Sequence, residues 1–110
     1  MMIGTESKWR MVALPGETRD DIRDSCDRVM EALLDIEEQE GRVHSAAVSL
    51  DLGQMRLTIE IAVDAETIDE AVAIVDDATS RAMSAGGHRP GDPAEYPELV
   101  EKHAEVLVPA

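Results

Sequence analysis

The side chains of this 110-residue chain that could do chemistry are three histidines, one cysteine and several clustered carboxylates. A zinc centre draws its ligands from close, regular spacings. His44, His88 and His103 are scattered instead. The alternation around His44 puts it on the apolar side of its strand, where it could wall a pocket. To act as a general base it would need a positioned proton to take, and a strand-end histidine bonded to backbone is the simpler assignment. His103 falls on the opposite parity. Cys26 sits on an apolar helical stripe, and burial there suppresses the thiolate that nucleophilic or redox chemistry requires; it is a small buried hydrophobe.

The carboxylate runs Asp76-Asp77 and Glu37-Glu38-Glu40 are neighbours in sequence alone, because successive helical residues diverge by about 100°. They are solvated faces. Gly86-Gly87 ahead of His88-Arg89 could cradle an anion, but a helix stop followed by a turn demands the same residues. The stretch LPGETRDD, at 14–21, leads into a helix whose free amides could receive an anion. Arg19 would help, while Glu17, Asp20 and Asp21 would repel it. No catalytic residue, no metal ligand and no cofactor is assigned.

The elements that position these residues follow from periodicity. In AAVSLDLGQMRLTIEIAVD, at 46–64, apolar residues occupy even positions before Gly53 and odd positions after Gln54. Side chains alternate faces along a strand, so the change of parity marks a hairpin. A two-residue turn at Gly53-Gln54, of the type that favours glycine first, pairs residues whose numbers sum to 107. Leu50 then meets Leu57, Val48 meets Ile59 and Ala46 meets Ile61, while Asp51 meets Arg56 on the other face. A slip by one residue would expose the whole apolar set.

Upstream, Ile22, Cys26, Val29, Leu33 and Ile36 recur at helical steps over about 18–40, with Thr18 as N-cap and Gly41 as stop. Downstream, TIDE at 67–70 is a capping box. It opens a second helix that carries Ile68, Val72, Val75, Thr79 and Ala82 along one side and ends at Gly86-Gly87. KWRMVAL, at 8–14, reads as the first strand and AEVLV, at 104–108, as the last. Between them, 86–99 is a loop rich in proline and glycine, longer than the usual connection.

The order strand, helix, strand, strand, helix, strand in one domain over 1–110 folds economically as a ferredoxin-like βαββαβ sandwich. It has a four-stranded antiparallel sheet of order 4-1-3-2 and both helices on one face. The other sheet face stays bare. The hairpin presents Ser45, Ala47, Ser49 and Thr58 there, and the first strand presents either Trp9 and Met11 or their neighbours. Bare apolar surface of that kind calls for a cover, and a second copy packed about a two-fold axis supplies it most simply.

The net charge of −14, from 24 acidic residues against ten lysines and arginines, excludes duplex DNA and anionic membranes as partners at ordinary salt. It leaves room for a basic protein partner. Neither a secretory leader nor an apolar run of membrane-spanning length is visible, which points to the cytoplasm. The expectation is a small acidic, non-catalytic binding or regulatory protein that forms a homodimer and meets its partner through the loop holding His88, Arg89 and Tyr96. The runner-up is a small dimeric α+β-barrel enzyme of the monooxygenase or isomerase kind. That reading demands a cavity between sheet and helices walled by His44 or Trp9. An acidic mimic that binds a basic partner is a third reading and demands a contiguous acidic stripe.

Overall fold

The computed structural model of the chain describes residues 1–11, 16–86 and 98–107. Six elements follow in order: β1 (Met2–Arg10), α1 (Arg19–Gln39), β2 (Val43–Asp51), β3 (Arg56–Asp64), α2 (Ile68–Ala85) and β4 (Glu98–Val106). Each begins or ends for a local reason. At the start of α1 the Thr18 hydroxyl accepts from the Asp21 amide at 3.2 Å, and the Asp21 carboxylate accepts from the Thr18 amide at 2.8 Å. This reciprocal cap satisfies two helix-start donors and holds the Asp21 carboxyl below its usual range. From there α1 buries Ile22, Cys26, Val29, Leu33 and Ile36, the stripe expected from their spacing.

At the start of α2 the Thr67 hydroxyl accepts from the Glu70 amide at 3.1 Å, but the second half of the expected box does not form. The Glu70 carboxylate turns to the Arg42 guanidinium and the Glu66 amide instead, since a cation outcompetes a neutral donor. The buried line of α2 is Ala71, Val75, Ala78 and Ala82, flanked by Thr79 and Met83. Ile68 is exposed, so the helix is rotated relative to the stripe read from sequence.

The hairpin keeps the expected register from Ala47↔Glu60 to Asp51↔Arg56. Two details differ. Leu52 to Met55 form a four-residue turn outside the strands, with Met55 rather than Gly53 in the left-handed region at φ 54°. At the other end the register shifts between His44 and Ala47, so that Ala46 does not face Ile61 and His44 pairs with Ala62. Ser45, at φ 51°, is in this bulge, the extra residue that lets Val43 return to the core opposite Val63.

The sheet order is β2-β3-β1-β4, antiparallel throughout, which is the 4-1-3-2 order expected. Both helices cover one face. α1 packs on β2 and on α2, and α2 lies over β3, β1 and β4. The Ser25 hydroxyl of α1 donates to the Gly86 carbonyl at the end of α2 at 2.6 Å, satisfying an orphan helix-end acceptor. The first and last strands begin earlier than the sequence suggests. β1 spans 2–10 rather than 8–14, and β4 spans 98–106 rather than 104–108. Ladder hydrogen bonds, not an apolar run, make them strands: β1 pairs with β3 and β4, and β4 pairs with β1.

The odd residues of β1 face the helices: Ile3, Thr5, Ser7 and Trp9 are buried, as is Met11 beyond the strand. Trp9 and Met11 therefore belong to the core and not to the bare sheet face. Ser45, Ala47 and Ser49 are exposed and Thr58 is half-buried on that face, as expected. No helix among the described residues is long and apolar enough to cross a membrane.

Candidate functional site

On β3 the helix-facing residues are Leu57, Ile59, Ile61 and Val63, all fully buried and apolar. Their direct partners on β1 are Trp9, Ser7, Thr5 and Ile3. Two small polar side chains thus stand at core positions where a sheet under helices normally carries branched aliphatics. Each is satisfied. The Thr5 hydroxyl donates to the Ile61 carbonyl at 2.8 Å, and the Ser7 hydroxyl accepts from the Trp9 indole N–H at 2.9 Å.

Small residues below and small residues above leave space between. α2 contributes Val75 and Thr79, β4 contributes Leu99 and Lys102, and with Thr5, Ser7 and Trp9 they line a half-open cavity of about 230 Å³. An apolar cavity of ~150 Å³ is enough for benzene, so this one has room for a larger ring or a substituted one. Its walls are mainly apolar. Its mouth carries an ion pair, Lys102 Nζ to Asp76 Oδ1 at 2.5 Å, joining β4 to α2.

Thr79 decides the character of the site. It is 4% exposed, and its Oγ1 has no hydrogen-bond partner among the described residues. A buried hydroxyl without a partner costs about 1–3 kcal/mol, and native interiors rarely leave one so. Here the hydroxyl belongs to a residue that walls a cavity large enough to hold the missing partner. The chemistry offered is an aromatic surface from Trp9, two hydroxyls from Ser7 and Thr79, and a carboxylate with an ammonium at the rim.

The residues singled out in the sequence fall elsewhere, with one exception. Trp9 walls the cavity, as the enzyme reading requires. His44 does not: the bulge turns it to the uncovered sheet face, half-buried opposite Ala62, so it is no part of a pocket between sheet and helices. His103 pairs with Glu6 on that same face and is exposed, 3.8 Å from the Glu105 carboxylate. The two histidines thus share a face rather than opposing one another. His88, Arg89 and Tyr96 lie outside the described residues. Among the described residues no group of three ligands could hold a metal ion. Cys26 is buried against the Met11 sulfur, and burial pushes its thiol up to about 11, which leaves it protonated and unreactive at neutral pH.

Sequence reasoning missed Ser7, Thr79 and Lys102. One signal was there. Glu6, Lys8 and Arg10 alternate with uncharged residues from Thr5 to Met11, a strand pattern in which Thr5, Ser7 and Trp9 must share the inward face.

No protein-family model matches the chain, and no curated protein matches it. Among solved structures it is similar to a candidate antibiotic biosynthesis monooxygenase from Chloroflexus aurantiacus, at a TM-score of 0.55 and 20% identity, covering 100% of this chain and 96% of that one. It is also similar to a protein from Shewanella oneidensis, at a TM-score of 0.48 and 14% identity over 94% of this chain and 86% of that one. The fold shared with the Chloroflexus protein is the ferredoxin-like sandwich. At that identity the first likeness shows the fold and nothing finer.

Proposed function

We infer that the chain is a small α+β enzyme acting on a compact organic molecule held between β1, β4 and α2. The observation that carries this is Thr79: an unpartnered hydroxyl, buried in the wall of a cavity lined by the chain's one tryptophan. Ligand sites in general combine an apolar body with a few placed polar groups, and this cavity has that composition. The name of the Chloroflexus protein supports oxygen insertion as the reaction class, with dioxygen as the oxidant and the substrate as the source of all the electrons: a phenolic ring C–H becomes a quinone C=O, and the second oxygen atom leaves as water with the two hydrogens lost from the phenol. Of the two acidic residues in the lining, Glu6 and Asp76, Asp76 is the one paired with Lys102; it could take a proton from a substrate at the mouth, and Lys102 beside it would stabilise the anion formed. Trp9 and Leu99 would hold the ring, and the Thr79 hydroxyl would orient it through a polar substituent.

Trp9 provides the assay. Titration with hydroxylated one- and two-ring aromatics is expected to change its emission saturably, and Thr79→Val is expected to weaken the tightest of them by about tenfold, the worth of one hydrogen bond to a buried polar group. Oxygen uptake, with mass spectrometry of the product for one added oxygen atom, then tests turnover. Saturable binding without uptake would leave the protein a binding module. No saturable change with any member of the series would remove the site.

A further inference from the structure

Two hydroxyls on the β1 side of the cavity have opposite, fixed polarity. Thr5 and Ser7 are alternate residues of that strand, both 7% exposed and both in the cavity wall. A hydroxyl has one proton to give and two lone pairs to receive with. Thr5 has spent its proton on the Ile61 carbonyl, at 2.8 Å, so towards the cavity it can only accept. Ser7 is set the other way. Its oxygen accepts from the Trp9 indole N–H at 2.9 Å, and among the described residues nothing accepts its proton.

The strand itself offers no acceptor to spare. β1 is flanked by β3 and β4, and the two ladders occupy the backbone around it. A buried donor without an acceptor is costly, whereas an idle lone pair on an oxygen already bonded is common. The cavity is therefore asymmetric: at Ser7 it needs an acceptor, and at Thr5 it has room for a donor. Thr79, on the opposite wall, is committed to neither role.

We propose that Thr5 and Ser7 determine which ligand the cavity takes: an aromatic ring with a carbonyl-type oxygen that accepts from Ser7 and, across the ring, a hydroxyl that donates to Thr5. This rests on the reading of the cavity as a ligand site and adds the polarity of its occupant. Alternate residues of a strand stand about 7 Å apart, a spacing comparable with that of two oxygen substituents placed para on one ring. An arylamine, which gives protons and accepts poorly, leaves the Ser7 proton without a partner. An ether in place of the hydroxyl leaves Thr5 with nothing to accept. Trp9 contributes twice, as the apolar surface against the ring and as the donor that turns the Ser7 proton away from itself.

Isothermal titration calorimetry with three matched ligands tests this. The wild type is expected to bind para-hydroxyacetophenone about tenfold more tightly than para-isopropylphenol, its near-isostere without the carbonyl. The same margin is expected over para-methoxyacetophenone, which has no hydroxyl proton. Ser7→Ala is expected to abolish the first preference and keep the second, and Thr5→Val to do the reverse. Thr5→Ser, which retains a hydroxyl, is expected to keep both. Each readout is a ratio of affinities within one protein, so a general loosening of the fold by the stranded Trp9 N–H does not imitate it. Far-UV circular dichroism establishes that each variant is folded, and the wild-type ratios are decisive even where one is not. Equal affinities of the wild type for all three ligands, or preferences that survive both substitutions, would overturn this inference and leave the ligand site standing. No saturable heat from any of the three would instead remove the site, and this inference with it.

Discussion

β3 and β1 are neighbours in register under α2, yet they do different things with their inward positions. β3 fills all four with Leu57, Ile59, Ile61 and Val63. β1 answers with Trp9, Ser7, Thr5 and Ile3. Under α1 the stripe from Ile22 to Ile36 closes on the hairpin as an ordinary core. Above β1 and β4, α2 brings Val75 and Thr79, whose hydroxyl has no partner among the described residues, and the layer stays hollow. The two regions have the same topology and similar burial. Side-chain volume and one unsatisfied hydroxyl separate a region that only holds the fold together from one that can hold something else.

Substitutions test that contrast directly. The largest effect belongs to the filled side: Ile59→Ala removes a fully buried side chain from a close-packed layer, and thermal or urea denaturation should show a loss of about 2–5 kcal/mol. On β1 the cost is of a different kind. Ser7→Ala deletes little volume but strands the buried Trp9 indole N–H, for a loss of about 1–3 kcal/mol, with a shift in Trp9 emission that Ile59→Ala should not reproduce. If both variants lose the same stability by cavity formation alone, the distinction between the two strands fails.

Thr79→Val should move the other way. Replacing an unpartnered buried hydroxyl by a methyl of similar shape relieves a desolvation cost, and stability should rise by up to about 1 kcal/mol while aromatic ligands bind less well. A stabilised variant with weakened binding is the signature of a residue kept for a ligand. Loss of stability would mean that the hydroxyl already has a partner in its own chain.

The smallest effect lies outside both regions. Arg42 holds the Glu70 carboxyl below its ordinary 4.5, so the folded protein binds that proton less readily than the unfolded chain. Its contribution is complete above the ordinary value and is lost as pH falls through the lowered one. Glu70→Gln should therefore be slightly less stable than wild type at neutral pH and indistinguishable from it in acid. The pair is exposed, which keeps the difference small.

Much of the frame was legible in the residues. The parity change around Gly53 determined the hairpin register from Ala47 to Asp51, and the four- and three-residue steps from Ile22 to Ile36 determined which side of α1 is buried. These signals are local, and each was confirmed because a slip would expose several apolar groups at once. β1 was misread because its inward residues are partly polar, so the apolar run at 8–14 drew the strand six residues too late. His44 was misplaced because one extra residue at Ser45 reverses every side chain before it.

By itself, then, the sequence determined periodicity, helix caps, hairpin register and the order of elements, since these depend on neighbours a few residues apart. Tertiary structure decided which side of the sheet Trp9, Met11 and His44 face, because that depends on pairing between strands distant in the chain. It also decided that Thr5, Ser7 and Thr79 converge. A cavity is made by residues too small to fill the space between them, and that shortfall exists only once helix and sheet are packed together.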